Sequence, residues 1–456
     1  MQIGKRALHS RVMRAFVLRL AIPALLLTTV ISACQTSMRS GPVASPPSSI
    51  GSSPRLPAPD KHLLPTVQVA VARGWTAGAH PQPAPGLAVT AFATGLSHPR
   101  WLYVLPNGDV LVAETNAPER PEEGKGIKGR IMKSVQRKAG AAVPSANRIT
   151  LLRDADGDGR AEARSVFAAQ LNSPFGMALI DSILYVADTD AVMAFSYRPG
   201  ETTLVGPPTK LTSLPGGPLN HHWTKNILAA RDGRHLYATV GSNSNAGENG
   251  LAQEEGRAAI WQIDLPGGEK RLYATGLRNP NGLAWEPSTG ELWVVANERD
   301  ELGNDLVPDY LTAVHEGAFY GWPYSYYGQH VDARVKPANP VLTARAVPPD
   351  YALGAHVAAL GLAAADHAAL PPLYRSGMFV GEHGSWNRKP AVGYKVVFIA
   401  FAQGKPVGMP VDVLTGFVSE TGEARGRPVG VAMARDGALL VADDVGNTVW
   451  RVTAAH

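Results

Sequence analysis

The sequence predicts an all-β chain folded as a six-bladed β-propeller, and two observations carry that expectation. A short apolar strand follows a turn signal six times, at Asn107 to Glu114 (NGDVLVAE), Asp181 to Asp188 (DSILYVAD), Asp232 to Gly241 (DGRHLYATVG), Thr289 to Asn297 (TGELWVVAN), Ser376 to Glu382 (SGMFVGE) and Asp436 to Asp444 (DGALLVADD). Upstream of several copies lies a recurring lead-in segment. It reads ATGLSHPRWLYV from 93, AQLNSPFGMAL from 169, ATGLRNPNGLAW from 274 and the weaker GRPVGVAM from 426, which set Pro99, Pro174, Pro280 and Pro428 in one register. Alternating apolar runs broken by Gly, Pro, Asp and Asn fit four-stranded blades carrying a few long insertions. A sandwich or a pair of barrels also gives many short strands, but does not repeat the lead-in in phase.

Residues 1–33 precede the repeats and have another character. Lys5, Arg6, Arg11, Arg14 and Arg19 come before an apolar stretch from Leu20 to Val30, too short to span a membrane, which reads as a signal peptide. The stretch closes on Ile31, Ser32, Ala33 and Cys34, resembling the bacterial lipoprotein signal in which the cysteine is lipidated; the alternative is an ordinary signal peptide with a chance cysteine. Cys34 is the single cysteine of the chain, so there is no internal disulfide and no cysteine-rich zinc site. The expected location is periplasm-facing, tied by a lipid anchor to a bacterial membrane, the outer one. Residues 34–85 are expected to be a tether and N-terminal extension. The Ser/Pro-rich run from Gln35 to about Pro59 is read as unstructured, and the propeller domain is assigned to residues 86–456.

The 43 Lys and Arg against 38 Asp and Glu give a formal charge of +5, but several of the cations sit in the leader, so the mature chain is only mildly basic. No basic run is interleaved with aromatics, which argues against nucleic-acid binding. Between the first and second copies, Asp154, Asp156, Asp158 and Gly159 copy the start of a calcium loop, but Ser165 stands where the bidentate Glu belongs. The stretch is read as a polar hairpin turn, with calcium binding left open.

The lead-ins show where chemistry belongs. The two residues before the shared proline are Ser97 and His98, Asn172 and Ser173, Arg278 and Asn279, and Gly426 and Arg427. Loops that feed the inner strands of a propeller open toward its central channel, so Arg278 and Arg427 from different blades converge on one face. One such arginine alone is more often solvated or ion-paired; two in phase point to an anionic ligand.

At these residues the chain resembles a known family. Leu277 to Gly282 (LRNPNG), Asn297 to Asp305 (NERDELGND) and Tyr320 to Pro323 (YGWP) are similar to the soluble quinoprotein sugar dehydrogenases, which use pyrroloquinoline quinone (PQQ). NERDELGND together with Gly384 to Arg388 (GSWNR) is most similar to the L-sorbosone dehydrogenase branch, and the likeness runs from about residue 87 to 452. The resemblance implies a six-bladed propeller that oxidises a sugar or sugar-derived aldehyde, by general-base-assisted hydride transfer to PQQ with calcium as a second cofactor. PQQ bears three carboxylates, which suit the rigid fork of Arg.

By the same resemblance Arg278 and Asn279 fall at the quinone oxygens, and Asn281 falls where relatives often carry the longer Gln. Arg427 and Arg425 match a cationic pair that holds cofactor carboxylates, and Arg388 or Lys389 replaces a family lysine. His222 is the general base, with His221 as its neighbour in sequence. Trp223, Thr224, Lys225 and Asn226 stand where relatives often follow the histidine with Gly and Arg. Calcium would be held mainly by the backbone carbonyls of Arg299 and Asp300, with Glu298 adjacent. No nicotinamide fingerprint and no C-x-x-C-H haem site is present, so electrons are expected to leave to a separate acceptor. The competing readings are a calcium-dependent lactonase or esterase propeller and a non-catalytic binding propeller at the cell surface.

Overall fold

Each of the six apolar strands found in the sequence is the second strand of a blade. In the computed structural model, which describes residues 49–60, 66–119, 134 and 137–455, the blades are antiparallel sheets of consecutive strands. Blade one comprises Pro99–Val104, Val110–Glu114, Arg148–Arg153 and Ala163–Ala168. Blade two comprises Met177–Ile180, Ile183–Ala187, Ala191–Ser196 and Thr209–Ser213. Blade three comprises Ile227–Ala229, His235–Val240, Ala259–Asp264 and Lys270–Thr275. Blade four comprises Asn279–Trp285, Leu292–Asn297, Pro308–Ala313 and Tyr351–Ala355. Blade five comprises Ala359–Ala364, Gly377–Glu382, Lys395–Ala402 and Lys405–Thr415, with Gln82–Pro83 added at its edge. The expected signal peptide, Cys34 and the first part of the expected tether lie outside the described residues. Among the described residues no helix is long and apolar enough to cross a membrane.

Blade six closes the ring. Its first three strands, Pro428–Met433, Leu439–Asp443 and Thr448–Ala454, come from the C-terminus, and its fourth, Leu87–Ala93, from the start of the propeller. Pairing of Val452 with Val89 and Ala454 with Leu87 ties the two ends of the domain together and leaves no blade incomplete.

The shared proline marks a shared register. Three residues past it, Leu102 pairs with Val112, Met177 with Val186, Leu283 with Val294 and Val431 with Val441. The same pairing recurs without proline in the other two blades, Ile227 with Ala238 and Leu362 with Val380. Thr224 and Ala359 therefore occupy the proline position, and His222 stands in blade three where Arg278 stands in blade four.

Two residues past the proline position, glycine lets neighbouring inner strands touch backbone to backbone. A Cβ on Gly176 would lie 2.7 Å from Asn226 Cα of blade three, and one on Gly282 would lie 2.6 Å from Leu362 N of blade five. One on Gly361 would lie 2.9 Å from Val431 N of blade six, and one on Gly430 would lie 2.8 Å from Arg100 O of blade one. Between blades the faces carry apolar clusters, for example Trp293, Val295, Leu311, Val380, Val397 and Ile399 between blades four and five.

The expectation of an unstructured run up to about Pro59 is corrected in its second half. Gly51 exchanges two backbone hydrogen bonds with Ala352 on the outermost strand of blade four, at 2.9 Å each, and Ser49 is buried. Composition misled because backbone pairing with an otherwise open sheet edge, helped by the partly buried Leu56, holds this segment.

Gly361→Ala is expected to lower stability by about 1–3 kcal/mol, the usual cost of overpacking, read as a lower denaturant midpoint. An unchanged midpoint would contradict the tight inner ring.

Candidate functional site

The lead-in loops and the loops that follow the second strands open at the same end of the propeller. Two clusters of side chains gather there: Arg278, Asp300 and His356 beside His222 of blade three, and His383, Asp444, His98 and Arg100, with Arg427 nearby.

His222 is half-buried and its neighbour His221 exposed, which separates the two. His222 Nδ1 lies 2.8 Å from the Ser242 carbonyl and 3.0 Å from its hydroxyl. A carbonyl only accepts, so Nδ1 carries the hydrogen and the neutral ring keeps its lone pair on Nε2. Burial, the Arg278 guanidinium and His221 all push the imidazole well below its ordinary pKa, so it is neutral near pH 7. Gly241 makes room for the ring: a Cβ there would lie 3.1 Å from His222 Cγ. Beneath the loop, the fully buried Lys225 Nζ donates to the carbonyls of His222 (3.3 Å) and Trp223 (3.2 Å) and to Asn220 Oδ1 (3.3 Å).

Arg278 is buried and largely committed to the protein. It donates to Glu298 O at 2.7 Å, to Asn245 O and Oδ1 at 3.3 and 3.2 Å, and to Asp300 Oδ2 at 2.7 Å. Burial opposes charge on Asp300, yet Arg278 and His356 hold its carboxyl well below the usual range, so this ion pair persists across neutral pH. Asn387 donates to the other Asp300 oxygen at 2.8 Å. Asn279 and Asn281 sit in the first strand of blade four with a buried Oδ1 each that lacks a protein partner.

The opposite side of the mouth is cationic. Asp444 is bound by Arg100 at 2.7 Å and by His383 Nε2 at 2.8 Å, with His98 Nε2 at 3.5 Å. Burial disfavours its charge, but these partners hold Asp444 well below the carboxylate range. Burial pushes His383 down to about 4 and lowers His98 as well, so both rings are neutral near pH 7 and Arg100 is the counter-ion. Arg427 donates through Nη2 to Tyr394 Oη at 2.8 Å, lies 5.0 Å from that ring's centre, and has a buried Nε without a partner. Arg100 Nε is likewise without a partner, and the guanidinium lies 5.8 Å from the Trp223 ring centre, linking the two sides of the mouth. The half-buried Arg100, paired with Asp444, and the buried Arg427, which has no carboxylate partner among the described ion pairs, suit a ligand with several negative charges.

Of the other expected site residues, Arg425 and Lys389 are exposed. Arg388, next to Asn387, donates to Asn304 O (2.8 Å), Ala355 O (3.3 Å) and Asp305 Oδ1 (2.7 Å), and its buried Nε has no partner. The Asp300 carbonyl already accepts from Asn245 Nδ2 at 3.2 Å and from the Arg299 guanidinium, whose other partner is Asp332. As arranged, that carbonyl does not fit a calcium ion. Glu298, with a buried Oε1 lacking a partner and a carboxyl pushed up to about 7 by burial, is the nearby oxygen donor not engaged in this way. At the far end of blade one, in the hairpin between its third and fourth strands, Asp154, Asp156, Asp158 and Glu162 bring carboxylate oxygens within 4.8 Å of one another. Glu162, not Ser165, is thus the fourth acid there.

Arg100, His383 and Asp444 were not singled out from the sequence, and Lys225 was noted only as part of the departure after the histidine. Arg100 follows the shared proline instead of preceding it, and Asp444 and His383 each come just after a repeated apolar strand, so the repeat itself pointed to them.

The chain belongs to the TrAA12-like family, which it matches over residues 81–317 and 332–455. It is 28% identical over 301 residues to an uncharacterized protein of Borreliella burgdorferi, covering 62% of this chain and 76% of that one. Among solved structures, the holo PQQ domain of pyranose dehydrogenase from Coprinopsis cinerea aligns at 21% identity with a TM-score of 0.64, over 85% of this chain and 100% of that one. A calcium structure of the Trichoderma reesei carbohydrate-active enzyme of family AA12 aligns at 19% with a TM-score of 0.65, over 86% and 99%. The PQQ-bound aldose sugar dehydrogenase of Streptomyces coelicolor aligns at 18% with a TM-score of 0.53, over 82% and 100%. At these identities the structural likenesses show the shared fold.

Two outcomes are expected. Asp444→Leu leaves Arg100 without its carboxylate partner and should cost about 3–5 kcal/mol in chemical unfolding. Glu382, at the end of blade five's second strand, has its carboxyl raised by burial from 4.5 to about 8. The folded state therefore holds its proton more tightly than the unfolded chain, and stability should fall as pH rises from about 4.5 through about 8. Glu382→Gln should flatten that slope, and an unaltered slope would contradict the assignment.

Proposed function

We propose that the chain is a PQQ-dependent dehydrogenase that oxidises a sugar or a sugar-derived aldehyde, of the aldose or sorbosone type. The observation that carries the proposal is the neutral His222, its Nδ1 tied to Ser242 and its Nε2 lone pair free, beside Arg278 in a mouth with the buried Arg427 and the half-buried Arg100. The family and the PQQ-containing structures of the same fold support it. PQQ, when bound, supplies the acceptor for a hydride leaving the substrate carbon.

The chain's own residues account for the rest. Arg427 and Arg100, with uncommitted Nε hydrogens, would hold cofactor carboxylates, and Asn279 and Arg278 would orient the quinone edge. His222 Nε2 would take the hydroxyl proton of an aldehyde hydrate or hemiacetal, while Lys225 and Ser242 fix the loop and the tautomer. The NERDELGND and GSWNR motifs favour a sorbosone-like substrate. A lactonase would need carboxylates gathered in the channel, whereas among the described residues the acids close enough to hold a metal lie at the opposite end of blade one. Release of electrons to a separate acceptor, and a periplasm-facing location through a lipidated Cys34, belong to the same proposal and rest on the sequence.

The test is to add PQQ with calcium to the purified chain and follow difference spectra, then dye reduction across aldoses and aldehydes. Absence of PQQ binding would overturn the reading. Arg278→Ala should weaken PQQ binding by about 10- to 100-fold, the worth of a hydrogen bond from a charged group. His222→Ala should lower kcat by about 10²- to 10⁴-fold with PQQ still bound. Because the His222 pKa is depressed, activity should hold down to pH 6.5 and decline only at lower pH; a decline centred above pH 6.5 would argue against His222 as the base.

A further inference from the structure

We infer that residues 49–60 and 66–76, ahead of the propeller, act as a positioning strap for the channel mouth, a role that rests on the cofactor site proposed above. The propeller closes its ring from Leu87 onward, so these residues are not needed to complete a blade. Beyond the pairing of Gly51 with the outer strand of blade four, their contacts fall on the loops that carry the site. Asp60 N–H donates to Leu302 O at 2.8 Å, and a Cβ on Gly303 would lie 2.9 Å from Asp60 Cβ, so this segment packs on the loop that presents Asp300 to Arg278. Gln68 N–H donates to Trp386 O at 2.9 Å, beside Asn387, the residue that binds the second oxygen of Asp300.

The same chain then reaches the cationic side. Val71 and Ala72 pair in parallel with Glu423 and Ala424, and Arg73 N–H donates to Ala424 O at 2.8 Å, three residues before Arg427. Trp75 Nε1 donates to Asp443 Oδ2 at 2.7 Å, while Asp443 Oδ1 accepts the Arg427 backbone N–H at 2.8 Å. The Trp75 ring meets Phe417 and Trp450 edge-on, at 5.6 Å each. Loops from three blades, each holding part of the mouth, are thus fixed by these two segments. The bonds are local and each is worth little alone, but they restrain the groups that must be held still for a rigid ligand.

Two full-length variants test this. Trp75→Phe keeps the ring packing and loses the bond to Asp443; Gln68→Pro removes the amide donor to Trp386. Hydrogen exchange should speed up at 298–305 and 384–388 in Gln68→Pro and at 423–427 in Trp75→Phe, with blade strands unchanged and the thermal midpoint held. PQQ binding should weaken about fivefold in each, the worth of one hydrogen bond. Uniformly faster exchange with a lowered midpoint, or no change in these loops, would overturn the strap. Failure of the wild-type chain to bind PQQ would sink the cofactor reading alone, because loop exchange decides the strap independently.

Discussion

The structure depends on the close approach of its inner strands. Six blades around one channel leave little width at the axis, and at four of the six contacts a glycine two residues past the proline position brings one backbone against the next. Where glycine is absent, other chemistry fills the place. Trp101 lies against Phe175 with ring centres 4.8 Å apart, and Asn226 donates to the Asn281 carbonyl at 3.1 Å. Once these contacts fix the inner strands, the residues just before them are aimed at one mouth, and the site follows from the scaffold.

Charge at that mouth is arranged in two unequal halves. Arg278 and Asp300 form a closed pair braced by Asn245, His356 and Asn387. Across the channel, Arg100 pairs with Asp444 beside two neutral imidazoles, and Arg427 bonds Tyr394. The first half resists rearrangement, and in the second the Arg427 guanidinium has no carboxylate partner among the described ion pairs. His222 belongs to the first half, and burial together with the Arg278 guanidinium keeps it a base instead of an acid.

Much of this was legible in the sequence because the fold repeats. The six strands and the proline register pointed to the propeller. Arg278 and Arg427 stand out because their lead-ins depart from the others, and His222 through the family resemblance. His222 proved to share the register of Arg278, which the sequence did not reveal because blade three has Thr224 in place of proline. The side-chain commitments of Arg388 and the Asp300 carbonyl were not legible, since both depend on loops that meet only in three dimensions. Nor was the docking of Gly51 on blade four, because backbone pairing leaves no compositional trace.

A crystal structure of the chain grown with PQQ would test the central claim most directly. The account predicts the cofactor at the channel mouth, with carboxylates in hydrogen-bonding distance of Arg427 and Arg100 and the His222 Nδ1 bond to Ser242 retained. PQQ bound elsewhere on the propeller, or a His222 ring turned so that Nε2 faces Ser242, would contradict it.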